Sequence, residues 1–443
     1  MSEHATWRRR WGIVAGYGLW SAAIQIWSRL RQPKPYMDEL LHVPACCQLC
    51  RRLVVGSEAA FPSDSLQRVT TPPGLYSLPV LLAWWSGTTT VCCAVGWLRW
   101  LGGVLPGAGV AYELVQWTDG DIAAVVSVLA FLPLAFVCQM FYTDAGALYW
   151  LLLSYRLHLR RRRYVSSAAA GVLSAWYRQS SIAWHAALAV WGAAQERGLR
   201  RRRLLLAHGT AGILYVVWLS MRWLRQSGTL YFGDAERHPL ALHTANVMYY
   251  FAAWWVAGGG WSHLHSSENR ASRRPRAKAS RRHLLPWLLA TTIAVAAVAL
   301  GTRVHPFVLA DNRHYTFAFY RHIILRQRWR RWALLPLYVI SMITWWSQAL
   351  PHRRLFEKLA LLLALLTTLV PTALLEPRYF IPGVVLTEAL AGSRPPPRRR
   401  WVRLRAAVNL LVAMAAFYVF FESPFPRPPD LHVPDDSPGR RMP

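Results

Sequence analysis

Long apolar stretches, broken repeatedly by short runs of arginine, set the narrowest limit on what this chain can fold into. The stretches occupy residues 11–27, 74–101, 122–142, 145–159, 165–194, 204–224, 241–256, 284–300, 332–350, 355–374, 379–390 and 402–421. A helix needs about 20 apolar residues to cross the hydrocarbon of a bilayer, and Lys/Arg runs mark the cytoplasmic loops of membrane proteins. Only 16% of the chain is charged, whereas soluble domains carry about 25%. The chain therefore reads as an all-α polytopic membrane protein of about 11 to 13 transmembrane helices, with residues 1–443 forming one membrane domain. Lys plus Arg number 51 against 21 Asp plus Glu, a net charge of +30. In a nucleic-acid binder that excess would coat polar, aromatic-interleaved segments. Here it sits between apolar stretches, so the expected partner is the lipid membrane, with no nucleic acid.

The basic runs also orient the chain. Arg8, Arg9 and Arg10 precede the first apolar stretch, which ends in bulky Ile24-Gln25-Ile26-Trp27 rather than a small-residue cleavage site. That is a first transmembrane helix rather than a signal peptide. The loop 28–73, with Asp38, Glu39, Glu58 and Asp64, then falls on the far side of the membrane, and the Ser/Arg/Pro-rich loop 263–283 on the cytoplasmic side. The runs 160–163 and 200–203 are both cytoplasmic by the same rule. The stretch between them must cross twice, as two short helices meeting at Tyr177-Arg178-Gln179-Ser180-Ser181. In the last third, the basic clusters at 326–331, 353–354 and 398–400 cannot all be cytoplasmic with simple crossings, so its parity stays open.

Six cysteines supply neither a disulfide framework nor a metal site. Cys92, Cys93 and Cys138 lie in apolar stretches, where free cysteine behaves as a small hydrophobe. Cys46, Cys47 and Cys50 lack the second ligand pair that a zinc site needs, and a disulfide there is preferred over a metal.

Polar residues collect on the far side: Asp38 and Glu39, Arg178 and Gln179, Asp234 and His238, and Asp311 to His314. Ionisable groups at membrane depth are costly unless paired or functional, and several on one face suggest a single pocket. Carboxylates supply a general base and arginines recognise phosphate, a combination suited to transfer from an anionic lipid donor to a hydroxyl. The same residue types would serve a transporter.

Five blocks carry a resemblance: Pro35-Tyr36-Met37-Asp38-Glu39-Leu40-Leu41-His42-Val43-Pro44, Thr70-Thr71-Pro72-Pro73-Gly74-Leu75-Tyr76, Arg178-Gln179, Asp311-Asn312-Arg313-His314-Tyr315 and Glu376-Pro377-Arg378-Tyr379-Phe380. In order and approximate spacing, and from end to end of the chain, they resemble the endoplasmic-reticulum alpha-1,2-glucosyltransferases. Those enzymes use dolichyl phosphate glucose to add the last glucose of the lipid-linked oligosaccharide for N-glycosylation. The chain departs from the family at Ala45-Cys46-Cys47, where a Gln-rich stretch is usual, and in its Arg-rich loops.

The resemblance implies a GT-C fold in the endoplasmic-reticulum membrane, with its active site facing the lumen and a short helix in the first lumenal loop, 28–73. Its partners would be dolichyl phosphate glucose and the dolichyl-diphosphate-linked oligosaccharide. Asp38 would be the general base on the acceptor 2-hydroxyl, with Glu39 able to share the role. Arg178, Gln179, Asp311, Asn312, Arg313, His314, Glu376 and Arg378 would bind substrate, Arg313 and His314 at the donor phosphate. A β-linked donor and an α-linked product require one inverting displacement, with a base on the acceptor and charge stabilisation at the leaving phosphate. No cofactor and no metal are expected, because arginines alone can hold a lipid monophosphate. Convergence of Asp38, Asp234 and Asp311 on a cation is the contrary reading.

Each site residue also has a structural reading. Asp38 is placed to cap a loop helix, Arg178 to reach lipid headgroups, Arg313 and His314 to pair with Asp311, and Glu376 with Arg378 to form an interfacial pair. Other function classes remain: a transferase for another dolichyl-phosphate sugar, a transporter or scramblase, or a regulatory membrane partner. Many transporters carry inverted repeats, and no internal repeat is visible here.

Overall fold

The structure is a computed structural model that describes residues 3–56, 69–225, 241–261, 284–302, 304, 312–327, 329–350, 353–372, 374–392, 396–426 and 438–443. Regular structure among these residues is helical, with two isolated β-bridges, His314 to Met442 and Phe425 to Gly439. The expected all-α class is found. Backbone contacts gather in two compact units, residues 1–116 with 136–239, and residues 117–135 with 240–443.

The first unit contains α1 (Glu3–Arg31), α2 (Glu39–Cys50), α3 (Gly74–Ser86), α4 (Thr90–Cys93), α5 (Val95–Arg99) and α6 (Leu105–Trp117). It continues, after residue 135, with α9 (Thr143–Leu159), α10 (Tyr164–Tyr177), α11 (Ser181–Gln195) and α12 (Gly198–Arg225). The second contains α7 (Ile122–Leu129), α13 (Ala245–Ala253), α14 (Leu284–Gly301), α15 (Tyr315–Phe319), α16 (Arg330–Ala333), α17 (Leu335–Thr344), α18 (Leu355–Leu369), α19 (Ile381–Ala391) and α20 (Pro396–Glu422). The short α8 (Leu132–Val137) straddles the residues at which the chain passes back to the first unit.

Several helices are built inside out. On α14, Ala290, Ala294, Ala297 and Val298 are buried, while Leu285, Leu288 and Leu300 are 69%, 61% and 78% exposed. On α10 the buried residues include Ser167, Ala168, Gly171, Ser174 and Ala175, and Val165 and Trp176 point outward. Small residues at helix contacts with large apolar residues outside is the arrangement of helices packed in lipid, where there is no hydrophobic gain in turning leucine inward. Among the described residues, Gly198–Met221 and Arg400–Glu422 are long and apolar enough to cross a membrane, with mean hydropathies of 1.6 and 1.9.

The stretch 165–194 is divided as the basic runs require: α10 and α11 are separated by a turn at residues 178–180. Two other stretches are not continuous. Residues 74–101 break after α3, where Gly87 takes φ +67, a left-handed conformation that glycine adopts without steric cost. Residues 122–142 break between α7 and α8 at Ala130-Phe131. Apolar content set the length of these stretches but carries no mark of a break that local turns impose.

The cysteine reading is also corrected. Cys47 is bonded to Cys93 and Cys50 to Cys92, so α2 is stapled twice to α4, with Cα atoms 4.7 and 6.3 Å apart. The apolar neighbourhood of Cys92 and Cys93 reflects burial of this staple among Val43, Ala45, Leu75, Tyr76, Ala83 and Leu98. Cys46 and Cys138 stay as free, buried thiols.

Polar contacts hold the apolar helices in register. In the first unit, Tyr215 and three histidines form a buried chain: Tyr215 to His185 at 3.0 Å, His185 to His208 at 2.9 Å and His208 to His158 at 3.2 Å. It links α9, α11 and α12. In the second, Arg405 on α20 pairs with Glu388 on α19 at 2.9 Å and donates to Ser127 Oγ on α7 at 2.6 Å. Asn409 donates to the Ser127 and Ala257 carbonyls, each at 2.8 Å.

Candidate active site

The backbone just before α2 is strained. Met37 has φ 55, a costly conformation for a side chain of this kind that persists where surrounding contacts enforce it, often at functional sites. Asp38 follows at the N-cap of α2 but makes no side-chain capping bond, so its half-buried carboxylate is not spent on the helix end. Asp38 and His42 are four residues apart and share one helix face. His42 Nδ1 lies 2.7 Å from the Tyr76 hydroxyl on α3, and the Asp38 charge falls on the same phenol.

Glu39 has a different environment, although it adjoins Asp38. It is fully buried and its carboxylate is saturated. Oε1 accepts from Arg99 Nε at 2.9 Å and the Phe141 amide at 2.9 Å. Oε2 accepts from Arg99 Nη2 at 2.6 Å and the Tyr36 amide at 3.1 Å. Arg99 in turn donates to Ser28 Oγ at 2.7 Å and to the carbonyls of Gln32 at 2.8 Å and Lys34 at 3.1 Å. Glu39 thus locks the turn that presents Asp38, and its oxygens are enclosed by protein donors.

Three segments converge on the tip of the α10–α11 hairpin. Arg178 turns inward and donates to Asp144 Oδ1, at the start of α9, rather than extending to headgroups. Gln179 Nε2 donates to the Thr70 carbonyl at 3.3 Å. Gly74 brings the Thr70–Gly74 loop against this tip; a Cβ there would lie 2.5 Å from the Trp176 carbonyl oxygen, so only glycine fits.

In the second unit Asn312 is exposed, and Arg313 and His314 are partly buried. Met442 donates its amide to the Arg313 carbonyl at 2.8 Å, Tyr315 donates to the Met442 carbonyl at 2.9 Å, and His314 Nδ1 lies 3.4 Å from the Pro443 carbonyl. Arg440 anchors that tail by donating to the carbonyls of Phe420 and Phe421, at 2.8 and 2.7 Å, which end α20. Arg378 pairs with Glu376 across Pro377, both partly exposed. Asp234, His238 and Asp311 lie outside the described residues, as do Glu58, Asp64 and the loop 263–283.

Among the described residues, the grouped potential metal donors are Cys46, Cys50 and Cys92, whose sulfurs lie within 4.8 Å of one another. Two of these are joined in a disulfide, and a thiolate is required to ligate. His42, Tyr76, Arg99 and Asp144 received no role from the sequence. His42 and Tyr76 stand inside quoted motifs, and Asp144 is an acid wedged between two apolar stretches, itself a signal of function or pairing.

Helices that face large apolar residues outward and hold paired acids and arginines inside are those of a helical membrane protein. The chain belongs to the DIE2/ALG10 family, whose profile matches residues 32–204 and 202–389. A Drosophila melanogaster protein named Dol-P-Glc:Glc(2)Man(9)GlcNAc(2)-PP-Dol alpha-1,2-glucosyltransferase is 27% identical over 458 residues, covering 94% of this chain and 96% of its own. Proteins of the same name from Arabidopsis thaliana and Homo sapiens are each 26% identical, covering 83% and 89% of this chain and 88% and 91% of theirs. No solved structure matches the chain.

Proposed function

We propose that this protein transfers glucose from dolichyl phosphate glucose to the diglucosylated, dolichyl-diphosphate-linked oligosaccharide, forming the terminal alpha-1,2 linkage by one inverting displacement. It does so as a multi-pass GT-C enzyme of the endoplasmic-reticulum membrane, with about 11 to 13 spans and a lumenal site. Asp38 takes the proton of the acceptor 2-hydroxyl. Glu39 positions Asp38 through Arg99 and the amides of Tyr36 and Phe141. Arg313 and His314 hold the donor phosphate, a good leaving group once its charge is stabilised. No divalent metal takes part.

The observation that carries the reading is Asp38: a carboxylate not used for capping, behind a strained residue and beside the His42 and Tyr76 pair, in a chain of this family. The test is incubation of purified protein with radiolabelled dolichyl phosphate glucose and the diglucosylated acceptor, followed by sizing, with and without excess chelator. The expected result is a product one hexose larger under both conditions. No labelled product would overturn the activity. Loss with chelator, restored by magnesium or manganese, would overturn the metal-free mechanism alone.

A further inference from the structure

Residues 438–443 lie along the Arg313–Tyr315 segment of the second unit and are fastened at three points. Gly439 exchanges two backbone hydrogen bonds with Phe425, each 2.9 Å, and a Cβ on it would lie 2.6 Å from the Phe425 ring, so only glycine passes there. Arg440 is buried and donates to the carbonyls of Phe420 and Phe421, in the last turn of α20, where a cation is favoured. Met442, also buried, makes the parallel bridge to His314 through the Arg313 carbonyl and the Tyr315 amide. The segment is a strap across the residues that carry Arg313 and His314.

Between these fastenings Arg441 faces outward. Burial alternates along the strap, with Arg440 and Met442 5% and 4% exposed and Arg441 exposed between them, as side chains alternate along extended backbone. The bridge between His314 and Met442 sets Arg313 beside Arg441 and on the same face. Like charges side by side on paired backbone are destabilising, so two arginines in register point to an anion between them. The Arg441 guanidinium rests 5.7 Å over the Phe425 ring, and its charge reaches the Tyr315 phenol. Stacking on an aromatic face orients a guanidinium and leaves its N–H edge open.

From this juxtaposition we infer that Arg441 is a second guanidinium for the donor phosphate, delivered beside Arg313 by the strap. The inference rests on the glucosyl-transfer reading and deepens it; Arg441 lies beyond residue 389, where the match to the family profile ends. The chemistry asks for two cations. The donor is a phosphodiester with one negative charge, which one arginine matches. When the bond from glucose C1 to the phosphate oxygen breaks, its electron pair stays on that oxygen, while the acceptor oxygen bonds to C1 and gives its proton to Asp38. The polyprenyl phosphate therefore leaves with two charges. A second guanidinium meets the charge that develops during the reaction, the interaction that accelerates it most.

Full-length wild type, Arg441→Gln, Met442→Pro and the double variant are compared in phosphatidylcholine nanodiscs at about pH 8, where a phosphate monoester carries two charges. Kd is measured for a short-chain polyprenyl phosphate and for its glucose ester, beside turnover and thermal unfolding. Arg441 is exposed, so Arg441→Gln should melt like wild type. It should raise Kd for the polyprenyl phosphate by about tenfold to a hundredfold, the worth of a charged hydrogen bond, raise Kd for the glucose ester by less, and lower kcat. Met442→Pro deletes the amide that bonds Arg313 and should give the same pattern. Adding Arg441→Gln to it should change little, because a released strap no longer delivers Arg441. Fully additive losses would overturn delivery by the strap, and equal affinity of wild type and Arg441→Gln for both probes would overturn the site. If Met442→Pro does not fold, Arg441→Gln decides the site alone. Loss of co-purifying phosphatidylinositol from Arg441→Gln, with both probes bound as in wild type, would assign Arg441 to bilayer headgroups and overturn the proposal. Binding is read without turnover, so a protein that held polyprenyl phosphate through Arg441 but made no product would sink the transfer reading while keeping the site.

Discussion

Adjacent carboxylates at positions 38 and 39 illustrate how far one residue's shift can change a role. Asp38→Asn keeps size and removes the proton acceptor, so turnover should fall by about a hundredfold or more while donor binding survives. Near-normal turnover would discard Asp38 as the base. Glu39→Gln should act on stability instead, since removing one partner of a buried ion pair costs about 3–5 kcal/mol. The measurement is thermal unfolding beside turnover per folded molecule. A Glu39→Gln protein that melts like wild type yet cannot turn over would return Glu39 to the chemistry. At the donor phosphate, Arg313→Lys should raise KM for the donor more than for the acceptor, because an ammonium cannot fork two hydrogen bonds as a guanidinium does. Equal donor affinity in the two proteins would move the phosphate elsewhere. The place of Asp38 at the head of a loop helix was legible in the sequence. The enclosure of Glu39 was not, because its partner Arg99 lies 60 residues away inside what reads as an apolar stretch.

At the scale of elements, the double staple between α2 and α4 fixes the helix that starts at Asp38. Closing loops of 46 and 42 residues stabilises by roughly 4 kcal/mol for the first bond on the chain-entropy account. The second adds less, since its loop lies within the first. Burial pushes the Cys46 thiol up to about 12, so it stays protonated and unreactive at neutral pH. Alkylation of the folded protein should therefore spare Cys46, and alkylation after denaturation without reductant should label Cys46 and Cys138 alone. Reduction should open the four remaining thiols and lower the melting temperature. Labelling of Cys47 or Cys93 without reductant would count against the staple. None of this pairing was legible: Cys92 and Cys93 sit in an apolar setting, and spacing along the chain does not tell a buried thiol from a buried disulfide. By contrast, the division of 165–194 into α10 and α11 was legible, because two arginine runs demanded an even number of crossings.

For the whole molecule, the alternation of apolar and basic segments made the membrane class readable, and the outward leucines of α14 give it a physical form. The number of crossings was less readable, because α3 to α5 and α7 to α8 are fragments of what look like uniform stretches. Topology can be tested directly: glycosylation acceptor sites inserted in 28–73 should be modified and those in 263–283 spared. Modification of the basic loop would reverse the proposed lumenal face. The pairing of α7 with α20 concerns the order in which the protein is made. Ser127 is separated from Arg405 and Asn409 by 278 and 282 residues. At about 5–20 residues per second of synthesis, α7 waits on the order of 14–56 seconds for the helix that satisfies it. During that interval its buried serine has no Arg405 to bond. A ribosome that stops before residue 405 leaves α7 without that partner for good, even when every residue of the Asp38 region has been made.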